Sequence, residues 1–147
     1  EQIEFLVATN PGAEPGPLAR IASGGELSRI SLAIQVIIAS RATTPTVIFD
    51  EVDVGIGGAT ADAVGSLLQT LGQRIQVLCV THLPQVAARG AQHLRASKSS
   101  NHESTSAALT PLAADERVEE LARMLGGKTV TKKTQEHARE MLESAAL

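Results

Sequence analysis

The sequence predicts an α/β fold, with a mostly parallel sheet core and flanking helices. Two short apolar runs, Thr46-Val47-Ile48-Phe49 and Gln76-Val77-Leu78-Cys79-Val80, have strand length and end in polar residues. Longer segments with apolar residues at helical spacing stand before, between and after them. Such alternation of strand and helix is the pattern of parallel strands joined by crossover helices. The apolar residues are almost all aliphatic, with two Phe, no Tyr and no Trp in 147 residues. The core must therefore be built from Val, Ile, Leu and Ala.

Each element has its own signal. Ile3, Phe5, Leu6 and Val7 predict a strand from Ile3 to Thr9. Asn10 to Pro17 holds three Pro and two Gly and reads as a turn-rich loop. Leu27, Ile30, Ser31, Ile34, Ile37 and Ile38 recur at helical spacing, in a stripe wide enough to be mostly buried, and predict a helix from about Gly25 to Arg41. Ser23 and Glu26 stand in the S-x-x-E relation of a capping box at its start. Ala42-Thr43-Thr44-Pro45 ends it. The run Thr46 to Phe49 has no polar alternation, which suits a strand buried on both faces. A glycine-rich loop from Val54 to Gly58 leads into a helix over about Ala59 to Leu71, closed by Gly72. The second buried strand ends in Thr81-His82, and Pro84 opens a short helix through Ala88. His93 to Lys98 and Thr105 to Leu112 read as a hairpin around a polar tip, Ser99 to Ser104. The last third is helical, Glu116 to Leu125 and about Lys132 to Ala145, with Gly126-Gly127 between and Thr131 as N-cap.

Composition narrows the function. The net charge of −3 argues against a dedicated DNA-binding surface, which needs clustered Lys and Arg. The scarcity of aromatics argues against a base-stacking platform. One cysteine, Cys79, allows no internal disulfide, and a cytoplasmic setting is expected. No apolar stretch reaches membrane-spanning length, so no membrane partner is expected. Glu1-Gln2-Ile3-Glu4 is not a signal peptide, and the chain is expected to have been entered in its middle.

Asp50 and Glu51 are the strongest chemical feature. They end a buried strand, where ligands bind in open α/β sheets. An Asp there suits Mg²⁺, which takes few carboxylates and completes its shell with water and phosphate. A Glu beside it can orient or deprotonate an attacking water. His82 ends the next strand and is expected at the same sheet edge, within reach of a terminal phosphate. The capped helix start at Ser23-Gly24-Gly25-Glu26 offers free N–H groups and a positive dipole end to an anion. Gly126-Gly127-Lys128-Thr129 mimics the end of a phosphate loop. The full pattern needs Gly at position 122, which is Ala, and a preceding strand, so a helix-ending glycine pair is the better reading. The remaining histidines, His93, His102 and His137, have no comparable context.

Together these stretches resemble ATP-binding-cassette ATPases. Ser23-Gly24-Gly25-Glu26 is similar to the signature motif, Thr46 to Glu51 to the Walker B strand, Val52 to Gly58 to the D-loop, and His82 to the switch histidine. Asp50-Glu51-Val52-Asp53 narrows the resemblance to the SMC-like branch. Phe5 to Gly12, Ala22 to Arg29, Phe49 to Ile56, Val80 to Ala87 and Glu120 to Gly127 are similar to the RecN family of bacterial DNA-repair ATPases. The likeness is weakest from Ser97 to Leu112.

The resemblance implies that residues 1–147 are the C-terminal half of an ATPase head. The N-terminal half, with the phosphate loop, and the coiled coil would lie elsewhere in the full chain. It implies ATP and Mg²⁺ as cofactors, sandwiched between two heads of a homodimer. Asp50 would serve the metal, Glu51 would be the general base, and His82 would sense the terminal phosphate. Ser23, Gly24 and Gly25 would face the nucleotide of the other head, with Glu26 orienting the signature helix and Asp53 counted among the nucleotide-binding residues. Gly57 stands where many relatives carry Asp, so the link between the two sites that the resemblance implies for that residue is not carried over to it, and Asp53 remains a candidate. The implied function is repair of DNA double-strand breaks, with DNA held by the full-length protein and a cytoplasmic, nucleoid-associated location. The isolated segment is expected to be inactive. Alternatives are the head of another SMC-like or cassette ATPase, or a non-catalytic dimerisation module.

Overall fold

The computed structural model describes every residue except 1, 2, 9, 19–23, 42, 51, 52, 54, 101–103, 128 and 147. Its first strands are short: β1 (Leu6–Val7) pairs antiparallel with β2 (Gly16–Pro17). The strand expected over Ile3 to Thr9 is thus cut to two residues, and Thr9 lies outside the described residues. Just beyond this pair, the Leu18 N–H donates to the Phe5 carbonyl at 2.9 Å. Ile3 and Phe5 remain exposed.

Helix α1 (Gly24–Arg41) follows with the boundaries its periodicity predicts. The expected stripe is corrected: Leu27, Ile37 and Ile38 are exposed, and Leu32, Val36 and Ala39, at spacings of four and three, form the buried face. Strand β3 (Thr46–Asp50), helix α2 (Gly58–Gly72) and strand β4 (Gln76–Val80) make a β-α-β unit. β3 and β4 are parallel, in register from Thr46↔Gln76 to Asp50↔Val80. This is the parallel pairing the sequence predicts.

The expectation that both faces of these strands are buried is corrected. Burial alternates along them: Phe49 is 1% exposed, whereas Ile48 is 67% and Val80 57% exposed. Phe49, Val47, Val77 and Cys79 pack on one side, in the cluster built from Leu32, Val36, Ala39, Val64, Leu68 and Leu71. Both helices lend their apolar stripes to that single cluster. Each fully buried aliphatic or aromatic side chain contributes about 1.5–3 kcal/mol, so the covered face anchors the strand ends.

Helix α3 (Pro84–Arg89) links this core to a second one. Val86 belongs to the first cluster, and Ala88 packs with Leu121, Ala122 and Ala138 in the second. Those residues come from α4 (Ala114–Gly126) and α5 (Lys132–Ala145). Between α3 and α4, β5 (Leu94–Ser100) and β6 (Thr105–Pro111) form an antiparallel hairpin, exposed along both strands. Thr131 caps α5 as expected, its side chain accepting from the Thr134 N–H. Gly127 ends α4 with φ +65° and donates to the Arg123 carbonyl at 2.8 Å. The glycine pair therefore closes a helix, as its sequence context requires. Among the described residues, no helix is long and apolar enough to cross a membrane.

Candidate nucleotide-binding edge

The parallel register decides what meets at the strand ends. Asp50 lies opposite Val80, and the chain continues from Val80 into Thr81 and His82. Asp50 is exposed, and the His82 side chain is 70% exposed. A carboxylate and an imidazole thus leave neighbouring strands at one C-terminal edge, the end at which open α/β sheets take ligands. Glu51 lies outside the described residues.

Asp53 behaves differently. Only 1% exposed, it is among the most deeply buried polar residues of the chain. Its Oδ2 accepts from the Thr81 hydroxyl and, at 3.0 Å, from the His82 backbone N–H. His82 Nδ1 lies 3.3 Å from the same oxygen. Thr81 Oγ1 in turn accepts from the Leu83 N–H at 3.0 Å. A chain of polar contacts therefore ties the loop after β3 to the segment that joins β4 to α3. Burial pushes the Cys79 thiol up to about 11, and the nearby Asp53 charge adds to the rise.

The same loop closes on the start of α1. The Ile56 N–H donates to the Asp53 carbonyl at 3.2 Å, and Gly55 turns with φ +75°. A Cβ at Gly25 would lie 3.2 Å from the Gly55 carbonyl oxygen. Gly25 and Gly55 thus allow two backbones to approach where larger residues would hold them apart. Helix α1 begins at Gly24, with Glu26 in its first turn, where a carboxylate suits the dipole. Ser23 lies outside the described residues.

The structure therefore brings Asp50, Asp53, His82 and the Gly24–Gly25 helix start around one loop. Sequence reasoning missed Thr81 and Gly55. Thr81 had a weak signal, a hydroxyl at a strand end beside a chemically interesting His. Gly55 had only its place in a glycine-rich loop. The other histidines stand apart. His93 Nδ1 is buried with no partner among the described residues, and burial followed by the Arg117 charge lowers its pKa against the opposing pull of Glu120. His137 lies 3.4 Å from Glu140, and His102 is outside the described residues.

Cavities of about 230 and 440 Å³ are lined by residues other than Asp50, Asp53 and His82. Among the described residues, no group of three His, Cys, Asp or Glu side chains could hold a metal ion. Asp50 is an exposed hard oxygen donor, of the kind that suits Mg²⁺.

No protein-family model matches the chain. Its similarity to individual proteins is extensive. It is 56% identical over 143 residues to DNA repair protein RecN of Xylella fastidiosa (strain 9a5c), covering 97% of this chain. It is 52% identical over 145 residues to RecN of Vibrio cholerae, and 43% over 143 residues to RecN of Bacillus subtilis. The chain spans about 26% of the first of these relatives. A solved structure described under "ATP-driven dimerization and DNA stimulated activation of SMC ATPases" superposes with a TM-score of 0.62 at 18% identity. The match covers 84% of this chain and 81% of that one. It supports a shared α/β fold.

Proposed function

We propose that this chain, RecN-like along nearly its whole length, is the C-terminal segment of an ATPase head that works in recombinational repair of DNA double-strand breaks. Two heads close around ATP and part after its hydrolysis. The observation that carries this reading is the Asp50↔Val80 register, which sets a carboxylate and His82 at one strand edge beside the Gly24–Gly25 helix start.

Each residue has a role in this scheme. Asp50 would hold Mg²⁺. Bound Mg²⁺ would supply neutralisation of phosphate charge. Glu51, next in sequence, orients the attacking water and takes its proton. His82 presents its exposed ring to the terminal phosphate. Gly24 and Gly25, with Ser23, offer backbone N–H groups and a hydroxyl to the nucleotide of the partner head. Glu26 supports that helix start. The N-terminal half of the head supplies the phosphate loop, which this chain lacks. DNA is held by other parts of the full-length protein, since a net charge of −3 offers no electrostatic footprint here. The protein is cytoplasmic and associates with the nucleoid.

The test is Glu51→Gln in the full-length protein. The isosteric amide cannot take a proton, so ATP affinity by calorimetry should persist. Turnover should fall about 100-fold or more, in line with the loss of a general base, and closed head pairs should accumulate. Unchanged turnover would refute the assignment.

A further inference from the structure

We propose that Asp53 is a positioning residue that fixes the His82 ring, presenting Nε2 rather than Nδ1 to the nucleotide. The inference rests on the ATPase reading for its consequence but not for its geometry. Burying a carboxylate is costly, and the cost is borne only where specific donors meet it. Asp53 is 1% exposed, and its Oδ2 points to the start of the β4–α3 segment. That oxygen is already engaged by the Thr81 hydroxyl and the His82 N–H. This gives Asp53 a role other than direct contact with phosphate.

The ring follows from the same oxygen. His82 Nδ1 lies 3.3 Å from Asp53 Oδ2. An unprotonated Nδ1 would set its lone pair beside a carboxylate oxygen, so this approach favours the tautomer with its proton on Nδ1. Nε2 is then the free nitrogen. In the neutral ring it accepts, and in the imidazolium both nitrogens donate, Nδ1 to Asp53 and Nε2 outward. Two further contacts hold the backbone that carries the ring. The Asp53–His82 N–H bond fixes the Cα, and the Thr81–Leu83 bond fixes the turn into α3. The exposed side chain of His82 is thus oriented by a buried neighbour, the arrangement by which an outer group aims a reactive imidazole.

The test reads the tautomer directly. Two-bond ¹H–¹⁵N correlation spectra of the ¹⁵N-histidine-labelled chain, taken where the ring is neutral, should show His82 protonated on Nδ1. Asp53→Ser, with its backbone spectrum otherwise retained, should move the proton to Nε2, the form favoured by a free histidine side chain. An Nε2–H ring in the unsubstituted chain overturns the inference, and needs no variant to fold. So does an Nδ1–H ring that Asp53→Ser leaves unchanged.

Kinetics in the full-length protein add the functional arm. Asp53→Ser should lower kcat about tenfold with KM nearly constant, and should cost nothing further in a His82→Ala background. Additive losses would overturn a role exerted through His82. If His82→Ala leaves turnover intact while the ring is Nδ1–H, the Asp53–His82 link stands and the ATPase role of His82 falls. The two failures are therefore distinguishable.

Discussion

Gly65 and Gly72 lie on the same helix, and alanine at the two positions should have opposite effects on stability. A Cβ at Gly65 would lie 2.9 Å from Arg89 Cγ, 3.0 Å from the Gln85 carbonyl oxygen and 3.3 Å from Val86 Cα. The arginine side chain can move. The two backbone atoms belong to α3, which is held by buried Pro84, Val86 and Ala88. Overpacking of this kind costs about 1–3 kcal/mol, and alanine in a helix interior returns about 1 kcal/mol relative to glycine. The net expectation for Gly65→Ala is a loss of up to about 2 kcal/mol. For a chain of this size that lowers Tm by up to about 8 °C. At Gly72 nothing lies within 4 Å of an added Cβ. Gly72→Ala should therefore gain about 0.5 kcal/mol and raise Tm by about 1–2 °C. Thermal unfolding followed by circular dichroism reads both. The His82 amide resonance should also shift in Gly65→Ala, because α3 starts two residues after His82. Two variants that both raise Tm would show that the α2–α3 approach has slack, and would refute the packing argument.

Two further expectations concern ionisation. The Cys79 thiol, raised from 9.0 to about 11 by burial and by Asp53, should hold about 100-fold less thiolate at pH 8 than an unperturbed thiol. Alkylation by iodoacetamide should be slower in the native chain by at least that factor than in urea, and equal rates would contradict the burial. Glu120 accepts from Arg123 at 2.6 and 3.0 Å, and that hydrogen bond holds its carboxyl below the usual range despite the opposing effect of burial. A depressed carboxylate contributes stability above its unfolded pKa of about 4.3 and loses it as pH falls through the lower folded value. The Tm advantage of the native chain over Glu120→Gln should therefore shrink on acidification below about pH 4. A pH-independent difference would exclude this linkage.

The sequence makes the framework legible wherever burial is one-directional. The α1 boundaries, the β3 and β4 runs, Thr131 and the Gly126-Gly127 stop all act through local rules, and all stand where those rules put them. The buried face of α1 does not, since Leu27, Ile37 and Ile38 are exposed and Leu32, Val36 and Ala39 are buried instead. Strand burial is different, because it depends on what covers the second face. Ile48 and Val80 look like core residues in sequence and are exposed in this chain. Asp53 is the opposite case. An acidic residue in a glycine-rich loop signals solvent, yet it turns inward to meet Thr81 and His82, residues 28 and 29 positions away. No periodicity encodes that encounter. It arises from the parallel register and from the Gly25–Gly55 approach, which are properties of the assembled fold.

The central claim is that Asp50, Glu51 and His82 act on one nucleotide while Ser23, Gly24 and Gly25 act on the partner's. Mixing tests it most directly. Full-length Glu51→Gln and Ser23→Arg proteins should each be inactive. In a mixed dimer one site takes both defects and the other takes none. Free subunit exchange should then restore about a quarter of unsubstituted turnover, since half the dimers are mixed and each carries one intact site. A mixture as inactive as its two parents would contradict the account.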